Sequence, residues 1–230
     1  MKTYLVATLG MTLLLLPGSL ALAQQPTAQE RVVALKASLA ASQAILKQYE
    51  WVETTVVSLK GQEKARQMNR CYHGADGKVQ KIPLTTPPPA EKKRGLRGRI
   101  AESKKEELTD SMKEAVALVK GYMPPQPVLI QRAKDAGKVT LQPLSGQRVR
   151  LIFADYLKPG DSLALVVDLV SNRPLEAQIS SYLDSQKEPV TLDVRFNTLD
   201  NNATYAATSV VNVHAQNLTV KVENSGYRRM

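Results

Sequence analysis

The chain reads as α+β: one curved antiparallel sheet of about nine strands packed over two long helices. Three observations predict this. Segments such as 190–196, VTLDVRF, alternate apolar and polar residues, giving a strand one oily and one wet face. Two other segments repeat apolar residues at helical spacing, and turn chemistry separates the strand candidates at short, even intervals. One-sided patterning with short turns marks an antiparallel sheet covered on one face.

The first residues, MKTYLVATLGMTLLLLPGSLALAQQ, combine Lys2, an apolar stretch from Leu5 to Leu16, and small residues at Ala21 and Ala23. This is the three-part pattern of a secretory signal peptide, with cleavage expected after Ala23 and a single domain over 24–230. The apolar stretch is shorter than the roughly 20 residues that span a bilayer, and Pro17-Gly18 interrupts it. Gln24, not cysteine, follows the cleavage point, which argues against a lipid anchor. A periplasmic or secreted location follows.

Thr27 and Glu30 form a capping box ahead of Val32, Leu35, Leu39 and Leu46, predicting an alanine-rich helix over 27–47. YEWVETTVVSL, QEKARQMNRCYH and KVQKIPL then read as a three-strand meander, turning at Gly61 and at GADG 74–77. Arg66 and Arg70 share parity with Met68 and Tyr72, so this part of the sheet is expected to meet water on both faces. Residues 85–101, with three consecutive prolines and Lys92, Lys93, Arg94, Arg97 and Arg99, read as an exposed basic linker. A helix is expected from Ser103 to Lys120 on the stripe Leu108, Met112, Ala115 and Val119, then a short one from Pro127 to Gly137. RVRLIFADY, SLALVVDL, LEAQISSYL, PVTLDVRFNTL, TYAATSVVNV and NLTVKVENS are the remaining strands.

Chemistry is sparse. Cys71 is the one cysteine, so no internal disulfide forms and stability must come from the core. Cys71-Tyr72-His73 puts a thiol and an imidazole on one strand face. Structural zinc needs four ligands, and His214, the other histidine, has no cysteine or carboxylate near it in sequence, so no metal or cofactor is assigned. There is no G-x-S-x-G elbow; a hydrolase would need Asp161-Ser162 to meet His214 in space. Asp168, Asp184 and Asp193 are explained by turns and solvated faces, and Asn202 and Asn217 begin glycosylation sequons. No catalytic residue is assigned and a non-enzymatic protein is expected. The net charge of +10 in an exported protein points away from nucleic acid and towards an anionic membrane surface or cell-wall polymer, met by the basic linker.

The element order (signal peptide, helix, three-strand meander, helical segment, run of antiparallel strands) resembles the periplasmic lipoprotein-carrier (LolA/LolB-like) superfamily. That resemblance implies an unclosed barrel with a cavity for acyl chains between sheet and helices. Trp51, Met112, Val119, Leu165, Val167, Val194, Phe196 and Leu218 are the residues expected to face it, and a lipid or lipoprotein the expected partner. The alternative is a module with a filled core that contacts an envelope protein or anionic polymer through its surface.

Overall fold

The computed structural model describes residues 28–85, 96–123 and 125–230; of residues 28, 29, 32, 96–107 and 127 it describes the backbone only. The expected signal peptide, the Thr27 cap and Lys92, Lys93 and Arg94 lie outside the described residues, as do the side chains of Val32, Arg97 and Arg99.

The chain folds as α1 (Ala28–Leu46), β1 (Tyr49–Leu59), β2 (Gln62–His73), β3 (Val79–Pro83), α2 (Leu96–Lys120), α3 (Pro127–Asp135), β4 (Val139–Leu144), β5 (Arg148–Ala154), β6 (Ser162–Asp168), β7 (Arg173–Tyr182), β8 (Pro189–Thr198), β9 (Thr204–Val213) and β10 (Leu218–Arg229), with a single 3₁₀ turn at His214–Gln216. All strands join one antiparallel sheet in the order β3-β2-β1-β10-β9-β8-β7-β6-β5-β4. Its two edges do not pair with each other, so the barrel is unclosed.

Two details differ from the sequence expectation. There are ten strands, because VTLQPL forms β4. Its pattern is weak since an edge strand needs no buried face, and Pro143 argues against a strand until the edge position is known. Helix α2 begins at Leu96 instead of Ser103, so 96–101 of the expected linker is helical. Leu96, Arg97, Arg99 and Ala101 are good helix formers, and one Gly98 costs only about 1 kcal/mol against them.

The turns follow local chemistry. Lys60 and Gly61 both take positive φ (53° and 75°), the two-residue hairpin geometry that matches strand twist. Asn202 and Asn217 also sit at positive φ (68° and 51°), which accounts for asparagine at both sequons without a glycan. Bulges at Glu50/Val52, Val57/Ser58, Val166/Val167 and Arg195/Phe196 bend the sheet.

On the inner face, Val149, Leu151, Phe153, Leu163, Leu165, Val167, Ala177, Ile179, Val190, Leu192 and Val194 are buried side by side on β5–β8. Ala115 and Val119 from α2, Tyr122 just beyond its end and Ala133 from α3 pack in the same core. Each fully buried Val, Leu or Phe contributes about 1.5–3 kcal/mol relative to exposure. Helix α1 lies against β7 and β9. Ser42, buried on α1, fixes that contact by accepting from the Thr204 amide (3.0 Å) while donating to Ser38 O (2.9 Å). Residues 62–67 of β2 and all of β3 are exposed, as the mixed patterning there predicts.

Candidate ligand cavity

Between α1 and the junction of β1, β9 and β10 the interior does not close. A cavity of about 360 Å³ remains. One wall is largely aliphatic: Leu35, Leu39 and Leu46 share one face of α1 with Gln43, and Leu165 and Met123 also line the space. The facing wall is aromatic. His73, Trp51, Tyr227 and Tyr205 come from four neighbouring strands and meet in one row, with Phe196 at its side. Alternation sets His73 and Trp51 on one face, and the extra β10 residue opposite Trp51 brings Tyr227 to it. Trp51 is 5.5 Å from the His73 ring and stacked on Tyr227 at 5.6 Å; Tyr227 meets Tyr205 at 4.4 Å.

The row exists because the sheet parts here. The β9–β10 ladder runs from Leu218–Val213 to Glu223–Thr208 and stops. Beyond it β10 continues along β1 to Arg229, and the first residues of β9 continue along β8. Asn224 bridges the gap: its Nδ2 donates to Ala206 O (2.9 Å) and its Oδ1 accepts from Trp51 Nε1 (3.1 Å). The indole is thereby held in orientation and its one N–H satisfied, leaving its ring for apolar contact. Burial pushes the Tyr227 phenol above its usual range. Two buried polar atoms of residues on this cavity, His73 Nδ1 and Thr204 Oγ1, have no hydrogen-bond partner among the described residues.

Of the residues expected to face a ligand, Trp51, Leu165 and Phe196 line the cavity. Met112, Val119, Val167, Val194 and Leu218 belong instead to the packed hydrophobic core. Parity selects the inner face for the six strand residues and helical spacing the apolar stripe for Met112 and Val119, but neither says which part of the inner face the helices fill. Sequence reasoning missed Leu39, Tyr205 and Tyr227. Leu39 was visible as a stripe residue of α1, whereas the tyrosines required knowing that β9 and β10 diverge.

Cys71 and His73 share the inner face with Trp51, as their spacing predicts. The Cys71 thiol is wholly buried, and burial raises its pKa. His214 is exposed, and its Nε2 lies 3.2 Å from Thr191 Oγ1. Asp161 is held elsewhere: it accepts from the amides of Leu157 (3.1 Å) and Lys158 (2.8 Å) and from the Tyr122 hydroxyl. Tyr122 has one hydrogen, donated to Asp161, so Ser181 Oγ at 2.8 Å supplies the hydroxyl hydrogen of their contact. Asp168 accepts from Val170 N and Ser171 N, closing a turn. Among the described residues no three His, Cys, Asp or Glu side chains gather as a metal site, and no helix is long and apolar enough to cross a membrane.

No protein-family model and no curated protein matches the chain. Among solved structures it is similar to a LolA superfamily protein from Nitrosomonas europaea, at 10% identity and a TM-score of 0.40, over 85% of this chain and 93% of that one. It is also similar to a DUF1329 family protein from Desulfovibrio piger, at 13% identity and a TM-score of 0.41, over 86% of this chain and 92% of the other. A domain assigned to outer membrane lipoprotein sorting, from Vibrio parahaemolyticus, is similar at 12% identity and a TM-score of 0.37, over 87% and 93% of the two chains. The first of these bears the name of the superfamily that the element order resembles.

Proposed function

We propose that the protein is an exported, non-enzymatic envelope protein that holds a hydrophobic ligand, a lipid or the acyl part of an acylated polypeptide, in the space beneath α1. The observation that carries this is the cavity of about 360 Å³, aliphatic on one wall and aromatic on the other, within the size range of small-ligand sites (~300–1,000 Å³). Its chemistry is burial. Each methylene taken from water contributes about 0.8 kcal/mol, so a few contacts suffice for useful affinity. Trp51, Leu165 and Phe196, joined by Leu39, Tyr205 and Tyr227, are the residues proposed to touch the ligand.

The second reading, an interaction module, draws on a polar depression of about 550 Å³ on the outer face of β7–β10, lined by Glu176, Asp193, Arg195, Lys221 and Glu223. In that reading the basic stretch Lys92, Lys93, Arg94, Arg97 and Arg99 adds contact to an anionic surface.

Denaturing extraction of the purified protein followed by lipid mass spectrometry tests the first reading. A recurrent acyl-bearing species, displaced by a fluorescent fatty acid, is the expected result. Lipid-free preparations that also leave the fluorescent fatty acid unbound would remove it.

A further inference from the structure

The cavity beneath α1 is uncharged, yet it carries hydrogen-bonding groups. None of the described residues that line it is Asp, Glu, Lys or Arg. Besides Trp51, its hydrogen-bonding side chains are Gln43, His73, Thr204, Asn224 and the two tyrosines. Glu53 and Lys81, which the strand register sets on the face of Trp51, neutralise each other at 2.6 Å. A carboxylate or phosphate drawn into this space would shed its water and meet no counter-charge, which strongly disfavours the charged form.

Against that neutral background two polar groups stand unpaired. Thr204 is only 5% exposed. Its amide donates to Ser42 Oγ (3.0 Å), while its own hydroxyl meets no partner among the described residues. His73 Nδ1 is buried and unpaired in the same way. Asn224, by contrast, is already committed to Trp51 Nε1 and Ala206 O. A buried hydroxyl or ring nitrogen without a partner is costly, and native interiors rarely keep one. Both groups are shut off from bulk water, so an occupant of the cavity is what can complete them.

We propose that the ligand of this cavity is an uncharged acyl lipid whose polar group is an ester or a hydroxyl, and that this oxygen pairs with the Thr204 hydroxyl. The assignment rests on the cavity reading above and narrows it. An ester carbonyl accepts from Thr204 Oγ1, and an alcohol can either accept from it or donate to it. His73 Nδ1 offers a second, weaker-buried partner on the same cavity. An ionised fatty acid still places its chain in the hollow but leaves its head outside.

Trp51 is the only tryptophan in the chain and lines the cavity, so its fluorescence reports occupancy. The full chain is titrated at about pH 8, below micelle-forming concentrations, with dodecanol, methyl dodecanoate, dodecanoate and dodecyltrimethylammonium. The two neutral amphiphiles should bind about tenfold more tightly than either ion. Thr204→Val keeps the size of the side chain and the amide that Ser42 accepts from. In that variant the neutral amphiphiles should bind about fivefold more weakly, with both ions unchanged. Without ligand it should unfold at an equal or higher denaturant concentration, because a methyl group replaces an unpaired hydroxyl. Ions that bind as tightly as the neutral amphiphiles overturn the neutral-ligand assignment and leave the cavity reading standing. A neutral preference that Thr204→Val leaves intact overturns the pairing with Thr204. So does a ligand-free variant less stable than its parent, which would reveal a partner for the hydroxyl in the empty protein. Failure of all four amphiphiles brings down the cavity reading and this one with it.

Discussion

Beneath β5–β8 the inner face of the sheet is filled; beneath the meeting of β1, β9 and β10 it is hollow. Both regions carry the same period-two alternation. They differ in what stands opposite and in the shape of the side chains. Under β5–β8, α2 and α3 bring residues of graded size, and branched aliphatics interlock with Phe153 and Tyr156. At the hollow end, one alanine-rich helix presents a narrow leucine stripe to a row of rings. Rings that are tilted and stacked on one another cannot also fill the space before them. Alternation therefore decides which side of a strand is dry, and side-chain shape decides whether the dry side is solid.

The contrast can be broken experimentally. Leu163→Ala, in the filled region, should cost about 3–5 kcal/mol in denaturant unfolding, since no neighbour can move into the void. Phe196→Ala, on the cavity wall, removes a larger side chain yet should cost less than about 1.5 kcal/mol, because its space is already part empty. If the two costs were equal, the distinction between solid and hollow regions would fail.

Asp161→Ala should cost about 2–3 kcal/mol, measured the same way. It strands the Tyr122 hydroxyl and two amides at the point where the end of α2 is tied to the β5–β6 loop. Leu39→Trp should change stability by less than about 1 kcal/mol while abolishing fatty-acid binding, as an indole occupies the hollow without overpacking a closed core. Retained binding in that variant would relocate the ligand.

The smallest effect is in pH. Burial raises the phenol pKa of Tyr122 in the filled region and of Tyr227 on the cavity wall. A folded-state pKa above the unfolded value gives stability that is complete below about pH 10 and is lost as pH rises beyond it, because the unfolded chain ionises first. Ultraviolet titration of tyrosinate, with Tyr→Phe variants for assignment, should show ligand delaying Tyr227 ionisation and leaving Tyr122 unchanged. Equal protection of both would mean that the ligand acts on global stability and does not sit against Tyr227.

Much of this architecture was legible. The alternation of Leu218, Val220 and Val222, the turn at Pro159-Gly160-Asp161 and the Leu35–Leu39–Leu46 stripe each have a local cause, and each element formed where that cause lies. What was not legible is non-local. Val194 and Phe196 are two residues apart on the same face of β8, yet one is packed and the other lines the hollow. The bulge at Arg195/Phe196 and the divergence of β10 from β9 separate their fates, and neither leaves a mark in the alternation itself. A low aromatic content of 5% does not forecast an aromatic wall, yet folding concentrates five ring side chains at one place.

Pro83 and Pro143 lie in β3 and β4, the two margins of the sheet. A margin that lacks an amide hydrogen is a poor template for the next copy, so the blanket of strands ends where it is meant to end. Under the proposed function, the molecule would expose apolar surface at the moment of loading or unloading the hollow. Terminated borders let it do so without seeding fibrils from its own neighbours, and restoring an ordinary residue at either proline would trade that safety for growth by edge addition.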